Sequence, residues 1–261
     1  MGLRRQALSL FVRMLPNPIF IWLVAHLHRR VEPEMRVIAD RCDPSGTALD
    51  VGAWYGPWSY WVARRVGRVE TFEPNPFVAA TMAGHLPSNA AIHPEAASDH
   101  VGTQRLFLSG GGVGLEAQST LLGDDPSTPT TQVKLVRLDD FGFEDVRLIK
   151  IDVEGYELSV LRGAEQTIRD AHPVMVVELE DQFGEVRPSM DFLFALGYEA
   201  KIYREHAWRD VDVDVFIRDQ QDFLRTGEMR GYLSAALLGG YGYYNNVVFV
   251  HPQSTWSPWD R

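Results

Sequence analysis

Three short stretches of this chain carry residues whose types and spacing could do chemistry. The first is Leu49-Asp50-Val51-Gly52-Ala53-Trp54-Tyr55-Gly56-Pro57-Trp58-Ser59. It reads as a buried strand that turns through two glycines into a helix, with Pro57 near the first helical turn. Glycines let a backbone pass close to a ligand, and an entering helix offers free N–H groups. A dinucleotide fingerprint would need glycine where Trp54 and Pro57 stand, which disfavours a nicotinamide-dependent oxidoreductase. The second stretch, Glu70-Thr71-Phe72-Glu73-Pro74-Asn75-Pro76, puts Glu73 at the carboxyl end of the next strand, 23 residues after Asp50. A carboxylate there can accept both hydroxyls of a ribose. Pro74 and Pro76 stiffen the turn, and Asn75 can line a nucleoside pocket. The third, Leu148-Ile149-Lys150-Ile151-Asp152-Val153-Glu154-Gly155-Tyr156-Glu157, crowds carboxylates where an open α/β sheet binds ligands. Strand alternation places Lys150 and Asp152 on one side, while Glu157 suits the start of a following helix.

These stretches need elements to hold them. From residue 47 onward, short apolar runs alternate with helical stretches, the pattern of βαβ units and a parallel sheet. Strands are expected at residues 48–51, 69–72, 91–93, 148–151 and 174–178, and helices at 58–66, 77–86 and 157–171. Residues 106–108 and 133–137 read as additional strands around a loop, 109–131, rich in Gly, Ser, Thr, Pro and Asp. A loop of that length is either a mobile connection or a functional lid. Residues 198–203 and 247–251 resemble an antiparallel pair separated by an aromatic-rich insertion.

Ahead of the sheet, residues 1–46 read as a helical extension and 47–261 as the main domain. Leu3, Ala7, Leu10, Phe11 and Met14 recur at helical spacing, Pro16 and Pro18 interrupt, and residues 19–27 form a second helix. Residues 1–36 hold six Arg and two Glu in a chain whose net charge is −10. Such a basic arm is expected to pack on its own acidic domain or on a second subunit of a homodimer, with a membrane surface as the alternative.

The overall composition bounds the function. The 261 residues are 45% hydrophobic and 23% charged, as in globular proteins. The single cysteine, Cys42, rules out an intrachain disulfide and a Cys-based zinc site. The acidic balance argues against general nucleic-acid binding. The longest apolar run, residues 19–25, falls well short of the roughly 20 residues a bilayer needs, so no transmembrane segment and a cytoplasmic location are expected.

Taken in order, DVGAWYGPWS, FEPNP, LIKIDVEGYELSVLRGA and VMVVELE resemble the FkbM-type S-adenosylmethionine-dependent methyltransferases over residues 47–197. The resemblance implies a class I methyltransferase fold: a mostly parallel seven-stranded sheet with an antiparallel last strand. It also implies S-adenosylmethionine as methyl donor and a hydroxyl acceptor, on a saccharide, glycolipid or polyketide. Asp50, Gly52, Ala53, Gly56 and Ser59 match the family's donor loop and Glu73 its ribose acid. Asn75 and the Ala97-Ser98-Asp99 turn look like nucleoside-side contacts. Asp152, Glu154 and Gly155 match the acceptor-side motif. Trp54 stands where the family usually has Asn, so only its backbone is expected to serve.

Asp152 and Glu178, at the ends of neighbouring strands, resemble the paired acids with which catechol-type methyltransferases hold Mg²⁺. Lys150 could compensate their charge instead, but its stem is expected to start too deep in the sheet to reach past Asp152. Without a metal, Asp152, Glu154 or a histidine must act as base. His206 and His251 are expected to be structural, and two or three of Tyr198, Tyr203, Trp208, Tyr232, Tyr241, Tyr243, Tyr244, Trp256 and Trp259 to touch the acceptor.

Overall fold

The computed structural model describes residues 15–108, 119–123, 125–226 and 244–259. The amphipathic segment at residues 3–14, residues 109–118 and 124 of the loop expected at 109–131, and Tyr232, Tyr241 and Tyr243 lie outside them. Two helices come first, α1 (Asn17–Val31) and α2 (Pro33–Arg41). Then follow β1 (Thr47–Val51), α3 (Pro57–Val62), β2 (Arg68–Phe72), α4 (Pro76–Met82) and β3 (Ala90–His93). After a group of short strands come β8 (Val146–Ile151), α5 (Glu157–Gly163), α6 (Glu165–Ala171), β9 (Val174–Glu178) and α7 (Val186–Ala195). The chain continues with β10 (Glu199–Arg204), β11 (Ala207–Asp210), α8 (Val213–Thr226) and β12 (Asn246–Val250). No helix among the described residues is long and apolar enough to cross a membrane.

The main sheet runs β11-β10-β12-β9-β8-β1-β2-β3. The pairs among β9, β8, β1, β2 and β3 are parallel, and β12 enters antiparallel between β9 and β10. This is the class I methyltransferase arrangement, extended at its edge by β11. The added strand is a short hairpin partner of β10, turning through left-handed Glu205 and His206.

The central strands are buried on both faces, so each reads as a nearly continuous apolar run. Alternation divides them. Ala48, Val69, Leu148, Val174, Val176, Val248 and Val250 pack with Met35, Ile38, Trp58 and Val62 of α2 and α3. Leu49, Val51, Phe72, Ile149, Ile151, Met175, Val177, Val247 and Phe249 pack with α5, α6 and α7. The period of two then puts Asp50, Thr71, Lys150, Glu178 and Asn246 on the α2–α3 face, and continued past the strand ends it puts Glu73 and Asp152 there too.

A second sheet combines β4 (Ala96–Ala97), β7 (Thr130–Val136), β5 (Gly102–Leu108) and β6 (Ser119–Thr120), in that order. Its own small core contains Leu106, Leu108, Leu121, Val133 and Leu135.

Helix lengths differ from the sequence expectation for local reasons. The segment 157–171 is two helices, broken at Ala164. The Ser98 carbonyl oxygen lies only 1.9 Å from where a Cβ on Gly163 would sit. Asp139 then caps the second helix through the Gln166 and Thr167 N–H groups at 3.1 and 2.9 Å. Helix α3 stops at Val62, where Asn89 Nδ2 takes the carbonyls of Ala63 and Val66.

Candidate active site

The donor-side loop is set by close approach. Gly52 has φ +76°, and a Cβ there would lie 1.7 Å from the Asp152 carbonyl oxygen. The glycine turn after β1 and the acidic turn after β8 are therefore in direct backbone contact. The N–H groups of Gly52 and Ala53 both donate to the Phe72 carbonyl, and Gly56, at φ +69°, leads into α3. Asp50 works beneath the loop: its Oδ2 accepts from the Ser59 N–H at 2.8 Å and from Ser59 Oγ at 2.6 Å. Burial pushes the Asp50 pKa up to about 6.

Glu73 is buried at the end of β2. Its Oε2 accepts from the Trp54 N–H at 2.7 Å and its Oε1 from the Asn75 N–H at 2.8 Å. Trp54 takes a left-handed φ of +52° as it makes this bond. A carboxylate oxygen has two lone pairs, so both oxygens of Glu73 keep one for a diol such as ribose. Burial raises the Glu73 pKa to about 8, outweighing the Asn75 and Trp54 N–H groups that stabilise its ionised form. Asn75 is mainly a helix cap: its Oδ1 accepts from Phe77 and Val78, and its Nδ2 donates to Ser119 Oγ at 3.2 Å.

On the acid side, Lys150 is 2% exposed, and its Nζ stands 3.4 Å from Asp152 Oδ2 and 3.7 Å from Glu178 Oε2. This corrects the expectation that its stem starts too deep. Two residues of strand rise about 6.6 Å, which an extended lysine side chain spans. Burial alone would lower the lysine pKa. The carboxylates of Asp152, Glu32, Glu178 and Asp50 outweigh it and hold the group above the usual lysine range. Glu178 lies well above the usual carboxylate range, through burial first and then the Asp152 charge. Asn245 Nδ2 donates to both Glu178 and Glu180.

Glu154 sits two residues past Asp152 in a left-handed conformation, φ +52°. Burial, then the charges of Asp152, Glu180 and Glu157, push its pKa up to about 8. Its carbonyl accepts from Thr120 Oγ1 at 2.9 Å. Strand β6 therefore touches Asn75 through Ser119 and Glu154 through Thr120, bridging the two motifs. Gly155, at φ +93°, is closed in by Phe183 and Leu122, and its N–H donates to Glu157 Oε1 at 3.0 Å.

Residues 50–200, which carry the glycine turn, Glu73 and the acidic turn, match the Methyltransferase FkbM domain. The chain belongs to the FkbM methyltransferase family. It is 33% identical over 95 residues to Methyltransferase 1 of Beauveria bassiana (strain ARSEF 2860), a match covering 34% of this chain and 38% of that protein. Among solved structures it is similar to the FkbM methyltransferase of Methylobacillus flagellatus KT, at 16% identity and a TM-score of 0.49. That match covers 78% of this chain and 43% of the other. A TehB-like S-adenosylmethionine-dependent methyltransferase of Corynebacterium glutamicum ATCC 13032 is similar at 12% identity and a TM-score of 0.43, covering 85% and 88%. The chain thus spans about two fifths of the length of the first two relatives.

Within this FkbM domain the Mg²⁺ expectation does not fit. Among the described residues no group of three or more His, Cys, Asp or Glu side chains converges to hold a metal ion. The cation between Asp152 and Glu178 is the Lys150 ammonium itself, and a divalent ion bound to that pair would have to displace or repel it.

Ala97 belongs to the α5–α7 layer, and the Ser98 N–H donates to the Val136 carbonyl while its own carbonyl abuts Gly163. His251 stacks on His172 at 4.2 Å, and His206 lies in the β10–β11 turn. Trp208, Trp256 and Trp259 pack against the sheet face, with Trp256 Nε1 donating to the Arg147 carbonyl. Tyr198 is buried in the core, and Tyr203 packs edge-on against Trp208. Tyr244, beside Asn245, lies 4.9 Å from the Arg204 guanidinium.

Two site residues escaped the sequence reading, and both precede the FkbM segment. Glu32, at the junction of α1 and α2, and Glu34, in the first turn of α2, are buried against Trp58 and Asn246. The available signal was a pair of acids inside an otherwise basic stretch, with His28 one helical turn before Glu32.

Proposed function

We propose that this chain transfers methyl from S-adenosylmethionine to a hydroxyl oxygen of a saccharide or glycolipid, with Glu154 as the base and Lys150 in the place of a metal ion. The observation that carries this reading is the contact between Gly52 and the Asp152 carbonyl. A donor held by loop 52–56 lies beside the acidic turn, so donor and base share one edge of the sheet.

The bound donor supplies a sulfonium methyl that is already electrophilic. The chain's task is to present the acceptor oxygen in line and relieve it of its proton. Glu154, with a pKa of about 8, is poised to accept that proton near neutral pH. Lys150 offsets the charge of Asp152 and lies beside Glu178, whose carboxyl is held towards its protonated form by burial and the Asp152 charge. Glu73 and the backbone of Trp54 hold the donor side fixed. A rim offering Asp152, Glu154 and Glu180 has many acceptors and few donors, which suits a polyhydroxylated molecule.

The test is a screen of mono- and oligosaccharides and glycolipids for S-adenosylhomocysteine release. The reading expects release with a hydroxylated acceptor and at least a hundredfold loss in Glu154→Gln. Transfer confined to amine or thiol acceptors would reject it.

A further inference from the structure

The helix pair ahead of the FkbM segment is tied to the donor loop by buried polar bonds. Glu32 Oε2 accepts from Trp58 Nε1 at 2.7 Å, and Glu32 Oε1 pairs with His28 Nε2 at 2.9 Å. Trp58 lies in the first turn of α3, immediately after the glycine loop, with its ring 5.9 Å from Lys150 Nζ. The His28 ring stands 6.1 Å from Trp54, whose N–H holds Glu73. Trp61 Nε1 donates to the Ala25 carbonyl at 2.7 Å, and Glu34 Oε1 accepts from Asn246 Nδ2 at 2.7 Å. A carboxylate this buried is retained only where such bonds and charges satisfy it. Burial alone would raise the Glu32 pKa, but His28, Lys150 and Trp58 together hold it at about 2, so it is ionised throughout the working range.

We infer that Glu32 is a positioning residue for methyl transfer: by gripping the Trp58 indole it fixes the first turn of α3, and so the Gly52–Gly56 loop, against the Lys150 edge. Helices α1 and α2 are thereby part of the donor site, although they precede the segment that defines the family. Lys150 receives a second benefit, since the held indole walls it from solvent and the Glu32 charge helps to balance it. The inference rests on the reading that loop 52–56 holds the donor.

The experiment is a double-mutant cycle on the full chain with Glu32→Gln, Trp58→Phe and both together. Donor affinity is read by calorimetry and the thermal midpoint by scanning calorimetry. The expected result is a five- to tenfold loss of donor affinity in each single variant, with the double variant within twofold of the weaker single. A packing role alone would lower the midpoint and leave donor affinity in the folded protein unchanged, and that result would overturn the inference. Additive losses would overturn it as well, since they would mean that Glu32 does not act through Trp58. If Glu32→Gln does not fold, Trp58→Phe decides alone, because it removes the same bond and no charge: native affinity there overturns the inference. A native protein that does not bind the donor would overturn the underlying reading together with this one.

Discussion

Lys150 on β8 and Asp152 just past its end face the same side of the sheet, with Nζ and Oδ2 3.4 Å apart and the lysine buried. A buried ammonium beside two carboxylates is an internal counter-ion. Removing one partner of such a group leaves an uncompensated buried charge, at a cost of about 3–5 kcal/mol. Lys150→Met is therefore expected to lower stability by about that amount in denaturant titration. Glu178→Gln in the same background should recover part of the loss. A Lys150→Met variant as stable as the native chain would show that the lysine carries no such load.

The same relationship governs metal dependence. Activity is expected to survive dialysis against excess chelator, and added Mg²⁺ should leave it within twofold. Complete loss on chelation with recovery on Mg²⁺ would place a divalent ion at Asp152 and Glu178 and require Lys150 to swing away.

Gly52 is the tightest backbone approach in the site. Gly52→Ala meets the Asp152 carbonyl at 1.7 Å and also a positive φ. The positive φ alone costs of order 1–3 kcal/mol, and the clash adds to it. The expected outcome is a clear drop in thermal midpoint with at least tenfold weaker donor binding, measured by calorimetry.

Burial raises several acids at this edge: Asp50 to about 6, Glu157 to about 7, and Glu34, Glu73 and Glu154 to about 8. Between roughly pH 4.5, where these groups ionise in the unfolded chain, and pH 8, the native state holds more protons than the unfolded state. Stability should therefore fall as pH rises through that window and level off above it. Donor binding favours ionised Glu73, so it should release protons at pH 7, and affinity should rise towards pH 8. A thermal midpoint that climbs from pH 5.5 to 8 would contradict this ordering of charges.

Much of the arrangement was legible in the sequence, for physical reasons that can be named. The apolar runs of β1, β2, β8 and β9 and the period of two were enough to locate the strands and put Lys150 and Asp152 on one side. The class I fold and the family followed from the motifs those strands carry. Contacts distant in the chain were not legible. Strands β4 and β6 are two residues each, too short for any periodicity, so only β5 and β7 of the second sheet were legible, each in part. The break at Ala164 comes from Ser98 and Asp139, neither of them local to the helix. The reach of Lys150 depended on side-chain length against strand rise, which composition does not display. Glu32 and Glu34 find their partners 26 and 212 residues away, and nothing next to them in the sequence announces it.

The central claim, methyl transfer to a hydroxyl oxygen beside Glu154 without a metal, is tested most directly by following the methyl group. The protein is incubated in excess chelator with donor carrying a ¹³C methyl and a hydroxylated saccharide acceptor, and the product is examined by NMR. The account predicts a single labelled O-methyl group, formed by the native chain and suppressed at least a hundredfold in Glu154→Gln. Label on nitrogen or carbon, or label that appears only after Mg²⁺ is restored, would contradict it.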